Sequence, residues 1–329
     1  MKINIRGRNV DMTNSLPFLV LIIVFAVIPL FVSTQFWLNI FILVFIKGIA
    51  AVSLRTLSLS GNESFAHSAF LGIGAYTAAL LANNLGTPPY LTIPAGAVMA
   101  LLVGILTGFP FVRLRSIYFL MASMFLCVAI VYFIAAMKIT GGLNGLPFVP
   151  GLFSDIKTYY YFFFAMAIGC CALMYRFEFS RIGITLRAIA QSPEAATAMG
   201  VSEAFYRLLA VGVGCFFAGL AGGAYAHYNS MLSPNSFGML AAIWLIMYVM
   251  VGGRDKFIGP ILGTILLVTI SESSRAMSQY APYATAAAMI IVAYVLPGGL
   301  VSIPGLIQNA VRKRRERHVN AIADMGVGE

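Results

Sequence analysis

"AAIWLIMYVMV", residues Ala241–Val251, carries no charge, and its only polar handles are an indole N–H and a phenol hydroxyl. A helix that is apolar all round belongs in the core of a large protein or in a membrane. The run stops at the short polar string "GGRDKF", Gly252–Phe257, and another apolar stretch follows at once. Near the other end of the chain, "FLVLIIVFAVIPLFV", Phe18–Val32, has the same character. A membrane-crossing helix needs about 20 such residues for a hydrocarbon core of about 30 Å. Of the 329 residues 60% are hydrophobic and 10% charged, and the mean hydropathy is +0.91. Soluble domains carry about a quarter charged residues, so lipid is the main solvent here. Strands of a membrane barrel would alternate apolar and polar residues, and these runs do not. The fold class expected is an all-α polytopic membrane protein, a bundle of about ten transmembrane helices.

The spans are expected near 16–34, 36–54, 65–83, 90–111, 116–136, 158–175, 207–227, 237–252, 257–274 and 281–301. Lys and Arg collect in cytoplasmic loops. With the N-terminus inside, 17 of the 21 basic residues fall on the cytoplasmic side, including Arg55, Arg113, Arg254 and the tail "RKRRERH" from Arg312. Lys138, Lys157 and Arg275 fall outside, and Lys47 lies within a span, expected near an interface. Both termini are therefore expected in the cytoplasm. The domains are a segment 1–15, a transmembrane unit 16–301 with a cytoplasmic loop 178–207, and a basic tail 302–329. The string "LSLSGNESFAH" ahead of the third span is polar enough to form a broken or re-entrant segment.

The net charge of +10 serves this orientation and does not point to nucleic acid. Cys127, Cys170, Cys171 and Cys215 all sit in apolar runs, without metal or disulfide spacing, and read as packing residues. Gly104/Gly108, Gly219/Gly223 and Gly259/Gly263 have the spacing that lets spans approach closely. A Gly-Ala-Tyr triplet recurs at Gly74–Tyr76 and Gly223–Tyr225, a faint sign of duplication. No Gly-Lys pair exists to build a phosphate loop, and no His-Glu-x-x-His or Ser/His/Asp set appears. A non-catalytic chain is expected, with no metal and no bound cofactor.

"QSPEAATAMGVSEAFYR", Gln191–Arg207, is a polar island in this apolar chain. Pro193 suits a first helical turn, Glu194 the positive end of the helix dipole, and Gly200 a terminator. A small, smooth helix on a membrane protein's cytoplasmic face suits a groove on a partner; the competing account is a plain loop helix without one. Around it, in order, stand "GIGAYTAALL" (Gly72–Leu81), "VRLRSIYFLMASM" (Val112–Met124), "ITGGLNGLP" (Ile139–Pro147), "RIGITLRAIAQSPEAATAMGV" (Arg181–Val201), "AGLAGGAYAHY" (Ala218–Tyr228), "LSPNSFG" (Leu232–Gly238) and "GGRDKFIGPILG" (Gly252–Gly263).

Together these strings resemble the LivM-type permeases of branched-chain amino acid and urea or amide ABC importers, over roughly residues 40 to 300. The resemblance implies a permease subunit in a bacterial inner membrane that moves branched-chain or other small amino acids, or amide-like solutes, into the cytoplasm. It implies a second, LivH-like permease, two ABC ATPases that hold ATP and Mg²⁺, and a periplasmic or lipid-anchored solute-binding protein. It also makes Glu194, Ala195, Ala196, Met199 and Gly200 the coupling helix that meets the ATPase. Departures lie at Gly61–His67, where the family usually has Gly-Gln-Leu-Ser-Leu-Gly-His, and in the fifth span. There Ser123 and Val128 stand near the positions of a Thr and a Glu in the family's usual Thr-Leu-Ala-Phe-Ala-Glu.

Charges buried in a bilayer cost about 2.5–3.5 kcal/mol on insertion scales and tend to be kept for function. Glu63 is therefore the first candidate for the translocation pathway, either lining it or pairing with Arg55; His67, one helical turn on and on the same face, and Ser123 are the others. The competing accounts are a solvated interfacial acid and a packed histidine. Thr140, Gly141, Gly142 and Asn144 form an outer loop expected to meet the binding protein, and His227 is expected at the outer mouth. The alternative function is an ion-coupled secondary transporter of small polar solutes, with Glu63 or Glu272 as the ion site. A membrane scaffold or sensor that transports nothing is a further alternative.

Overall fold

The computed structural model describes residues 34–114, 116–153 and 155–274, together with 2–5, 8–11, 23, 25–29, 283, 286–287, 290 and 299–302. The expected first and last spans and the basic tail lie largely outside the described residues. A short antiparallel hairpin, β1 (Lys2–Ile5) with β2 (Arg8–Asp11), precedes the bundle, and its register pairs Lys2 with Asp11. All other named elements among the described residues are helical.

The helices named among the described residues begin with α1 (Gln35–Ser58), α2 (His67–Leu85), α3 (Pro89–Phe111), α4 (Ser116–Ala136) and α5 (Ile156–Glu178). After a polar bend come α6 (Arg181–Gln191), α7 (Pro193–Ala198), α8 (Glu203–Asn229), α9 (Met239–Gly252) and α10 (Gly259–Ser274). Among the described residues, six helical segments are long and apolar enough to cross a membrane: α1, α3, Ile117–Ala136 of α4, α5, α8 and Pro234–Gly252. The last is α9 extended by a 3-10 turn, Pro234–Phe237. α10, at 16 residues, is apolar but shorter. α2 carries His67 at one end and Asn83–Asn84 at the other, and is not among the six.

α1 is the central post. It is buried almost continuously from Leu38 to Leu57 and packs on α5, α8, α9 and α10. Phe45 and Tyr160 meet edge to face across α1 and α5, at 5.2 Å between ring centroids. A second seam joins α2, α3 and α8 through small residues. A Cβ on Gly74 would run into the backbone of Gly219, and one on Gly104 into Cys215. These backbones touch because glycine lacks a side chain, and in lipid such close packing replaces the hydrophobic effect as the adhesive. The four cysteines are buried and unbridged.

Two helices start inside the bundle rather than at its ends. Leu59–Ala66 is not helical; Gly61 takes φ +81°, which a residue with a Cβ rarely adopts. α2 therefore begins beside Ser53, five residues short of the end of α1, because Ser53 Oγ lies 2.7 Å from His67 Nε2. α9 begins at the same depth, because Ser68 Oγ donates to Gly238 O at 3.3 Å. The break ahead of the third span is the irregular segment that its polar composition implies.

Candidate functional site

Three clusters carry the polar chemistry. The first lies at the end of the bundle that holds α6 and α7. Ser180 caps α6, its Oγ accepting from Gly183 N at 3.5 Å, and Ser192 caps α7, accepting from Ala195 N at 3.3 Å. Gly200 closes the segment at φ +83°, the left-handed conformation of a helix terminator. Ala196 is buried against the body; Glu194, Ala195, Met199 and Gly200 are exposed, Met199 to 85%. α6 presses Gly183, Leu186 and Ile189 inward, and Ala190 fills the space beside Gly61 at the helix break.

Beside α6 sits an ionic knot. Glu178, 1% exposed at the end of α5, accepts from Arg55 Nη2 at 2.9 Å, from Arg55 Nη1, and from Arg187 Nη2. Arg55 also donates to Arg254 O at 3.0 Å, and its guanidinium lies over the Phe257 ring. Glu63 does not pair with Arg55. Its Oε1 meets Arg254 Nη2 at 3.0 Å, and its Oε2 is buried without a protein partner. Burial pushes the Glu63 carboxyl above the usual range, while Arg254 acts the other way. Arg55, Glu178, Arg187, Arg254 and Glu63 thus tie α1, α5, α6 and the Gly252–Gly259 turn to the broken segment.

Glu63, His67 and Ser123 come together around that segment. His67 bonds Ser53, while its Nδ1 has no protein partner. Ser123 Oγ, on α4, accepts from Phe65 N at 3.0 Å and holds the approach to α2. The outer-loop candidates lie at the opposite end of the bundle. Gly141, Gly142 and Gly145 all take positive φ, and Thr140 Oγ1 donates to Met137 O at 2.8 Å. Asn144 and Leu143 are exposed. A bridge between Leu146 and Leu232, both bonds at 2.9 Å, fixes this loop to the one before α9. His227, expected at the outer mouth, is fully buried: Nε2 lies 2.6 Å from Thr92 Oγ1 and Nδ1 2.7 Å from Pro150 O.

The third cluster was not assembled from the sequence. Lys47, expected near an interface, stands midway along α1, and its Nζ lies 3.9 Å from Glu272 Oε1 on α10. Both line a cavity of about 320 Å³ with Ser68, Asn235, Trp244 and Tyr248. A lysine within an apolar span is the sequence signal that could have marked it.

Residues 36–299 match the family described as "Branched-chain amino acid transport system / permease component". The chain belongs to this family. It is 27% identical, over 86% of its length and 74% of the relative's, to the "High-affinity branched-chain amino acid transport system permease protein LivM" of Escherichia coli. The protein of the same description from Salmonella typhimurium is 25% identical over the same shares. The "Probable branched-chain amino acid transport permease protein LivH" of Methanocaldococcus jannaschii is 26% identical over 68% of this chain and 75% of that one. No solved structure matches. The permease is a multi-pass membrane protein, and the α6–α7 segment, the ionic knot and the central cavity all fall within the matched residues.

Proposed function

We propose that this permease component works in an ATP-driven importer of branched-chain or other small amino acids, or of amide-like solutes. It sits in a bacterial inner membrane with both termini in the cytoplasm. Its partners are a second, LivH-like permease, two ATPases that bind ATP and Mg²⁺, and a solute-binding protein on the outer side that meets the Thr140–Asn144 loop. This chain holds no nucleotide. Closure of the ATPases on ATP moves α7, and α6 carries the motion to the α1–α2 break.

One observation carries the reading. α7 offers an exposed, small-residue surface with Met199 standing out, and α6 packs against Gly61 at the break. A helix that enters a groove must be smooth and cannot bear new charge. Ala195→Asp or Gly200→Leu leaves membrane insertion normal and abolishes copurification of the ATPase or solute-stimulated ATP hydrolysis. Wild-type uptake in both variants defeats the coupling role. Cysteines replacing Asn144 and Ser192, in a background lacking the native four, react with an impermeant maleimide from opposite sides of the membrane; reaction from one side overturns the topology. An ion-coupled transporter would instead work alone in vesicles without ATPases.

A further inference from the structure

α6 and α7 are joined without a linker: Ser192 ends α6 and caps α7. A displacement of α7 therefore reaches α6 without slack. α6 meets the body through Gly183, Arg187 and Ala190, which the helical period places on one face. A Cβ on Gly183 would run into the backbone of Glu178, so the first turn of α6 lies directly on the end of α5. At the other end of α6, the Ala190 Cβ is 3.3 Å from where a Cβ on Gly61 would sit, at the α1–α2 break. Between these two points Arg187 reaches the Glu178 carboxylate.

That carboxylate is shared. Its Oε1 accepts from Arg55 Nη2 at 2.9 Å and also from Arg187 Nη2, and its Oε2 accepts from Arg55 Nη1. Arg55 lies in the last turn of α1, about one turn before the break opens at Leu59. One acid therefore ties α6 to the helix that leads into the break. Its two arms differ in setting. The Glu178 and Arg55 side chains are 1% and 4% exposed, and that of Arg187 is 41% exposed. Arg55 already balances the buried charge of Glu178, so Arg187 is not needed for neutrality. What it adds is a connection, made where water weakens the bond. Arg55–Glu178 is the fixed anchor, because separating a buried pair leaves an uncompensated charge. Arg187 is the adjustable arm.

We propose that Glu178 is a positioning residue for transport: bridged to Arg187, it makes α6 and the α1–α2 break move as one body when α7 is displaced. The assignment rests on the coupling role of α7 and names what transmits it.

The test uses the complex assembled with its partner subunits in proteoliposomes, with L-leucine as the probe. Arg187→Met keeps an apolar stem beside Phe179, over which the guanidinium lies, and removes the donor. It copurifies with the ATPases and keeps its melting temperature, because α7 and the Arg55–Glu178 pair are untouched. Leucine taken up per ATP hydrolysed falls about fivefold or more, and Arg187→Lys, which keeps the charge, recovers part of it. A wild-type ratio in Arg187→Met overturns the proposal, as does loss of the ATPases or a lowered melting temperature, which would make Arg187 a structural prop. The coupling role of α7 is decided separately by Ala195→Asp. A second variant, Gly61→Cys/Ala190→Cys in a background lacking the native four cysteines, places two Cβ atoms near the separation of about 3.5–4.5 Å that a disulfide spans. Each oxidised sample is compared with its own reduced form, which carries the same backbone strain at Gly61. Oxidation leaves uptake unchanged and restores the ratio when Arg187→Met is added. Failure to cross-link, or arrest of uptake on oxidation, means that α6 and the break move apart, and overturns the proposal.

Discussion

Two buried ion clusters in this permease are built to opposite rules. At the α7 end, Glu178 is gripped from both sides by Arg55 and Arg187, and a backbone carbonyl and an aromatic face complete the coordination of Arg55. At mid-depth, Lys47 and Glu272 stand 3.9 Å apart beside an open cavity. Short bidentate pairs fix geometry. The contrast is between a multiply bonded cluster and a longer ion pair beside open space.

The largest effect is expected where the joint is broken. Glu178→Ala strands the Arg55 guanidinium, 3% exposed, among apolar neighbours, and removing one partner of a buried pair costs about 3–5 kcal/mol. A fall in the melting temperature of the purified complex, with loss of solute-stimulated ATP hydrolysis, checks this; wild-type behaviour would place the knot on the periphery of the mechanism. Gly219→Leu tests the scaffold that holds both clusters in place. The added side chain has to displace Ala100 and the backbone of α3, and overpacking costs about 1–3 kcal/mol or more; reduced thermal stability and poor expression are expected. Ser53→Ala is intermediate, because it leaves buried His67 Nε2 unsatisfied at about 1–3 kcal/mol. That loss should appear in thermal stability, with uptake normalised to assembled complex unaltered. The smallest effect belongs to Glu63→Gln. Its partner Arg254 is 48% exposed, and such pairs are worth about 0.2–1 kcal/mol. Uptake normalised to assembled complex should change less than twofold; a larger change would move the solute path toward the α1–α2 break.

Much of this is readable in the amino-acid sequence. Apolar runs bounded by polar turns place α1 to α5 and α8 to α10 to within a few residues, because lipid forces each backbone group to bond within its own helix. Pro193 and Gly200 mark α7 because a missing N–H and a positive φ are local properties. The expectation that Glu63 pairs with Arg55 rested on nearness in sequence. The actual partner of Arg55 is Glu178, 123 positions away.

The amino-acid sequence by itself determined that this chain crosses a membrane, where its helices run, and that a short polar helix at Pro193–Ala198 interrupts the apolar runs. Those properties follow from local hydrophobicity and from backbone bonds made within each segment. Only the tertiary structure decided which charges meet. Ion pairing depends on how α1 docks on α5 and α10, and that docking is set by side-chain volumes and glycine contacts summed over helices far apart in the chain. Lys47 and Glu272 stand 225 positions apart in the chain, and only packing brings them to 3.9 Å beside a shared cavity.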